Sequence, residues 1–197
     1  MATFTLFHAA QLAFLALLLG LIVERARALL LRDRLATDAF LRAALAAPPR
    51  ARAELALRAE PALVARIVSA GADAEDRDVA IEEALVDARR EATARIGLLR
   101  IGATLSSTLG LIGAALEARW AQVGEHGLWA LEAGRVEAIA MERSALCIAL
   151  GIAGSSLALG AFVQLRAASV ALLRDVRRAA DRMRAAVAAE PARDGSE

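Results

Sequence analysis

Between Arg100 and Glu117 lies a run of sixteen uncharged residues whose middle carries the side chains best suited to chemistry. Thr104, Ser106, Ser107 and Thr108 place four hydroxyls within about one and a half helical turns, and Gly110 and Gly113 follow. Hydroxyls in an apolar span donate and accept hydrogen bonds. They do not make or break covalent bonds unless a base stands beside them. A lipid-facing helix has no use for four hydroxyls and two glycines. A helix packed on other helices does, because small residues let backbones approach and hydroxyls find partners across the interface. The segment therefore reads as the inner helix of a membrane assembly.

Residues for enzymatic chemistry are missing. The chain has one cysteine, Cys147, and two histidines, His8 and His126. No cysteine–histidine set, paired carboxylates in a cleft-like context or phosphate loop can be found, so an enzyme is not expected, nor a cofactor. A single cysteine excludes an intrachain disulfide and a zinc cluster, and Cys147 is expected as a buried, inert thiol. His126 has no Cys, Asp or second His nearby, so no metal site is expected. Net charge is +1, which gives no reason to expect nucleic acid.

The elements that position these residues follow from composition and periodicity. Of 197 residues, 58% are hydrophobic and 24% charged, so the charges are segregated into blocks. All 24 basic residues are arginine. Ala, Leu, Arg and Glu outnumber β-branched and aromatic residues, and nothing alternates with period two for long. An all-α integral membrane protein with three transmembrane helices is predicted, the second and third extending into a helical cytoplasmic domain. Residues 1–23 carry no charge and are long enough to span a bilayer. Positive charge follows this stretch, at Arg25, Arg27, Arg32 and Arg34, and none precedes it. That pattern fits a retained first span with an outer N-terminus rather than a cleaved signal peptide. His8 falls near the outer end of that span.

Residues 24–95 read as the cytoplasmic helical domain. An amphipathic helix with Leu31, Leu35 and Leu45 near one face runs to about Ala47, where Pro48-Pro49 breaks it. A short helix over 50–60 carries a Glu54–Arg58 pair. Pro61 opens another, which Gly71 is expected to end. Asp73 is a predicted N-cap, with Asp76 and Asp78 in the following first turns. From there Ile81, Leu85, Ala88, Ala92, Ile96 and Leu99 form one apolar face. With no breaker read before the Arg100–Trp120 stretch, a single helix is predicted to enter the membrane unbroken. Its membrane part is residues 96–116, with Arg100 snorkelling at the cytoplasmic mouth.

Residues 117–143 form the outer connection, with five acids (Glu117, Glu125, Glu132, Glu137, Glu142) against three arginines. Both tryptophans, Trp120 and Trp129, lie here, as interfacial anchors do. Residues 144–165 are uncharged and rich in small side chains, Gly151 and Gly154 among them, and give the third span. Residues 166–197 return to the cytoplasm with an arginine-rich helix to about Ala189 and a disordered end from Pro191.

This layout resembles the MotA/TolQ/ExbB proton-channel family: one span, a helical cytoplasmic block, then two long spans with a short outer connection. The stretch VERARALLLRDRLATDAFLRAAL resembles the family's arginine-rich segment after span one. Gly110-Leu111-Ile112-Gly113 matches GLLG of the span-two pattern APLLGLLGTV. SALCIALGIAGSSLALGAFVQL resembles EALxxTAxGLxxAIPAxxxYN; with Ala145-Leu146 on the AL pair, Gln164 falls on the asparagine. In this register the span-two proline becomes Ser107 and its threonine Ala114. The span-three glutamate becomes Ser144, its threonine Ala149, its glycine Ile152 and its proline Ala158. A shifted register would put Glu142 on the glutamate but lose Gln164.

The resemblance implies a homo-oligomer, a pentamer, in the bacterial inner membrane, with a periplasmic N-terminus and a cytoplasmic C-terminus. It implies a single-span partner resembling ExbD, TolR or MotB, whose intramembrane aspartate carries the proton. The function implied is coupling of the proton motive force to work at the cell envelope: transport, envelope maintenance or motility. A carboxylate in hydrocarbon is costly, so its neutralisation and release can drive motion. Placing Ala114 and Ala149 on the ion path brings Thr104, Ser107 and Leu111 onto one lining face and Glu142, Ala153 and Ser156 onto the other. Gly110, Gly113, Gly151 and Gly154 are the helix-packing candidates. With both path threonines replaced by alanine, two functions stay open: a working channel lined by relocated hydroxyls, or a non-conducting structural subunit of the same fold.

Overall fold

The computed structural model describes residues 2–32, 37–58, 63–73, 77–125 and 130–189. Among them the chain is almost entirely helical, with no strand. In order come α1 (Ala2–Ala26), a π-helical segment (Arg27–Arg32), α2 (Thr37–Ala46), α3 (Pro49–Arg58), α4 (Leu63–Asp73), α5 (Arg77–Thr93), α6 (Ile96–Glu125) and α7 (Ala130–Ala189). Three helical stretches are long and apolar enough to cross a membrane: Phe7–Leu29, Arg77–Trp120 and Glu137–Ala189. Leu35, Pro61, Asp76, His126, Trp129 and the tail from Pro191 lie outside the described residues.

The chain divides into two compact units, Met1–Val23 with Arg95–Val163, and Glu24–Ala94 with Gln164–Glu197. The first is built from α1, α6 and α7. Its apolar floor is Leu18, Ala103 and Ala158, with Phe14 packed against them. Small residues set the helix spacing, and Gly110 of α6 lies directly on Gly151 of α7. Most large side chains on the outside are aliphatic, among them Leu17, Ile101, Leu111, Ile152 and Val163. Such a surface suits lipid or other apolar helices and is costly in water.

The second unit has a conventional core. Ile67, Val68, Ile81, Val176 and Met183 are fully buried. Each contributes on the order of 2 kcal/mol relative to exposure. Pro49 occupies the first turn of α3, where its missing N–H costs nothing. The end of α2 is closed by a side chain three residues into α3: Arg52, 6% exposed, donates its Nε–H to Ala44 O (3.1 Å) and Ala47 O (2.9 Å). Ala44 O also accepts the Ala47 N–H (3.3 Å), and a cation at this helix end complements the helix dipole. Arg66 of α4 pairs with Glu91 of α5 at 2.7 Å. Arg184 of α7 bonds Glu82 of α5 and lies 3.7 Å from Asp78. The hydrogen bond to Glu82 raises the Arg184 pKa above its ordinary value.

Several local expectations need correction. The helix predicted to run unbroken into the second span is interrupted: α5 ends at Thr93 and α6 starts at Ile96. Arg95 takes φ = 59°, the left-handed cap conformation. Thr93 Oγ1 turns back to Arg89 O (2.8 Å), and Ala94 N–H reaches Glu91 O (3.3 Å), so the last carbonyls of α5 find partners. A left-handed non-glycine residue costs about 1–2 kcal/mol, which is why sequence alone gave no break here. Gly71 does not end α4; it lies inside the helix, where an added Cβ would sit 2.8 Å from Met183 Cε and Cγ. Asp73 is the last residue of α4 rather than the cap of α5. After α1 the chain passes through the π-helical Arg27–Arg32 instead of continuing as one α-helix.

Candidate functional site

The site candidates belong to the three-helix unit. On α6 the predicted lining residues Thr104 and Leu111 are exposed, and Ser107 and Ala114 are half-buried. On α7 Glu142, Ala149, Ala153 and Ser156 are all exposed. A single chain therefore does not enclose a path between them. Thr104 Oγ1 donates to Arg100 O (3.3 Å) and Thr108 Oγ1 to Thr104 O (2.9 Å), so both hydroxyl protons serve their own helix. Of the span-two and span-three positions singled out, one pair is bonded across helices: Ser144 Oγ donates to Ala114 O at 3.2 Å.

The four glycines singled out for packing are all buried in contacts between helices. A Cβ on Gly110 would stand 2.9 Å from Cys147 O and Gly151 Cα, and one on Gly151 would stand 2.8 Å from Gly110 Cα. Gly113 faces the Phe7 ring and Cys147 Sγ; Gly154 faces Ser106 Oγ and Leu15. The Gly110–Gly151 contact leaves no room for a side chain and holds α6 and α7 backbone to backbone, whereas Gly113 and Gly154 meet side chains.

Polar groups also occupy the inside of this unit, and sequence reasoning did not assemble them. Gln11 of α1 is 4% exposed, and its Oε1 is buried without a hydrogen-bond partner. Ser106 of α6 is likewise 4% exposed. The two line a cavity of about 10 Å³ together with Phe14, Leu15, Leu109, Leu150 and Gly151. Toward the other end Cys147 is fully buried, as expected, with its Sγ 3.6 Å from His8 Nε2. Glu117, counted from sequence among the acids of the outer connection, is only 9% exposed. One signal was present in the sequence: Gln11 is the single side-chain amide in the first uncharged stretch, and an amide in a span is rarely without a role. That Gln11, Ser106, Cys147 and Glu117 all turn inward depended on the rotation of three helices. Among the described residues no cluster of His, Cys, Asp and Glu is arranged to hold a metal ion.

Among the described residues, fold and site together define a helical protein with three helical stretches long and apolar enough to cross a membrane and a tight glycine contact between two of them. Comparison with protein-family models, with curated proteins and with solved structures matches none of them.

Proposed function

We propose that this chain is a bacterial inner-membrane subunit of a MotA/TolQ/ExbB-like ion-driven complex, coupling the proton motive force to work at the cell envelope. The observation that carries the reading is the exposure of Thr104, Leu111, Ala149, Ala153 and Ser156 on one chain. A path lined by them has to be closed by other chains, as it is where identical subunits surround a single-span partner. The glycine contact between α6 and α7 suits a subunit that moves as a body, because backbone contact couples the two helices tightly. The arginines that follow the first and third uncharged stretches support a periplasmic N-terminus and a cytoplasmic C-terminus.

One observation favours a second reading, a non-conducting scaffold of the same fold. Ala114 and Ala149 offer no side-chain polar group, and the Thr104 and Thr108 hydroxyl protons are held by their own helix. Crosslinked pull-down from native membranes, with partners identified by mass spectrometry, separates the two. A stoichiometric single-span protein with an intramembrane aspartate supports the motor. Recovery of a homo-oligomer alone sinks it and leaves the scaffold. Proton flux in reconstituted vesicles for Ala114→Thr/Ala149→Thr then reports whether the native path is attenuated.

A further inference from the structure

We propose that the interior of the α1–α6–α7 unit is a blind, hydrated inlet, which admits water and hydrated protons from the end carrying Glu117 and closes at Leu18, Ala103 and Ala158. It is distinct from the exposed face discussed above, and it lies within one chain. The inference rests on these helices spanning a membrane, not on a partner or on ion coupling.

The polar groups are stacked in order along the bundle. Among residues of this unit whose side chains are described, Glu117 is the only buried acid. One turn deeper on α6 is Gly113, which faces Cys147 Sγ, and Cys147 in turn meets His8 Nε2 at 3.6 Å. About one turn deeper again, α1 presents Gln11, and its buried Oε1 is left unpartnered. Ser106, beside Gly154, completes the same cavity. From Glu117 to Ser106 is eleven residues of α6, about 16 Å. Below Ser106 the lining changes character: Leu18 fills the space over Gly102 and packs with Ala103, Ala158 and Phe14.

The physical case lies in the match of cavity and orphaned acceptor. A buried amide oxygen without a partner costs about 1–3 kcal/mol. A cavity of about 10 Å³ is close to the space one water needs, and a buried water requires at least two polar partners. Gln11 and Ser106 both line it, and the unpartnered Gln11 Oε1 and a serine hydroxyl are groups able to serve as two such partners. A water there has hydrogen-bonding groups on the side toward His8, Cys147 and Glu117, and hydrocarbon on the other. Water and protons can therefore advance from one end and stop.

The native cysteine makes this testable in the full-length protein reconstituted in lipid vesicles. Silver ions are applied to one face, and remaining thiol is then counted with a fluorescent maleimide after denaturation. The wild-type chain reports on Cys147. In a Cys147→Ser background, Ser106→Cys reports on the base of the inlet and Ala158→Cys on the seal. The inlet predicts that silver protects Cys147 and Ser106→Cys from a single face, at least about tenfold faster than Ala158→Cys, since thiol reactivity follows access. Adding Gln11→Leu slows Ser106→Cys. Silver failing to reach native Cys147 from either face overturns the inlet whether or not the variants fold. Equal rates for Ser106→Cys and Ala158→Cys, or protection from both faces alike, overturn the blind end. A dry interior leaves the partner pull-down standing as a separate test.

Discussion

Replacing Gly110 by alanine adds one methyl group where the structure has no space. Its Cβ would lie 2.9 Å from Cys147 O and from Gly151 Cα, both backbone atoms that no rotamer change can move. Carbon atoms attract best at about 3.5–4.0 Å, so α6 and α7 have to separate by roughly 0.6–1 Å. Overpacking of this kind costs about 1–3 kcal/mol. Alanine also favours helix over glycine by about 1 kcal/mol, which opposes the loss. A control removes that ambiguity. Gly160 lies on α7 in the same unit, and its added Cβ would meet nothing within 4 Å. Gly160→Ala carries the propensity gain without the clash. The difference between the two variants therefore isolates the helix contact and is expected at about 1–3 kcal/mol, Gly110→Ala being the less stable. Gly113→Ala falls between them, because the groups it meets are the Phe7 ring and Cys147 Sγ, side-chain atoms that can give way. The assay is equilibrium unfolding in mixed micelles, followed by helicity and by Trp fluorescence. Stabilities of Gly110→Ala and Gly160→Ala within about 0.5 kcal/mol would refute the close approach of α6 and α7.

Other expectations concern the second unit and its boundary. Arg52→Ala leaves the Ala44 and Ala47 carbonyls unpartnered by that side chain; it should cost about 1.5–3 kcal/mol and raise proteolysis near Pro48-Pro49, with Arg52→Lys giving partial rescue. At Arg95, φ = 59° makes a β-branched residue the worst occupant, so Arg95→Val should lose about 1–2 kcal/mol more than Arg95→Asn in thermal unfolding. Glu82→Gln weakens the bond to Arg184, whose side chain is 31% exposed, and should cost no more than about 1 kcal/mol, less in high salt. Because the Arg184 pKa is raised on folding, its contribution is complete at every pH below the ordinary arginine value and is lost only as pH rises through the raised one. Alkaline titration of stability to pH 10 should therefore show no loss that Glu82→Gln abolishes.

Much of the architecture was legible without coordinates. Uncharged runs of 23, 16 and 22 residues and the near absence of period-two alternation fix helical secondary structure and three candidate spans. Pro48-Pro49 ends α2 and starts α3 because proline lacks the N–H that a helix interior needs. Of the predicted face, Ile81, Ala88 and Ala92 on α5 and Ile96 and Leu99 on α6 are buried and Leu85 is half-buried, since residues three and four apart lie on one side of a helix. Tertiary structure decided the rest. The break at Arg95 has no proline to announce it, and the nearby glycine, Gly97, lies inside α6 rather than at the left-handed position; a cost of about 1–2 kcal/mol there is small beside the packing of whole helices. Gly71 reads as a helix stop, yet it stays inside α4 because Met183 presses against it. Periodicity groups residues by face but does not say what each face meets. Gln11, Ser106, Cys147 and Glu117 sit on three different helices, and only the rotation of those helices about their axes turns them inward.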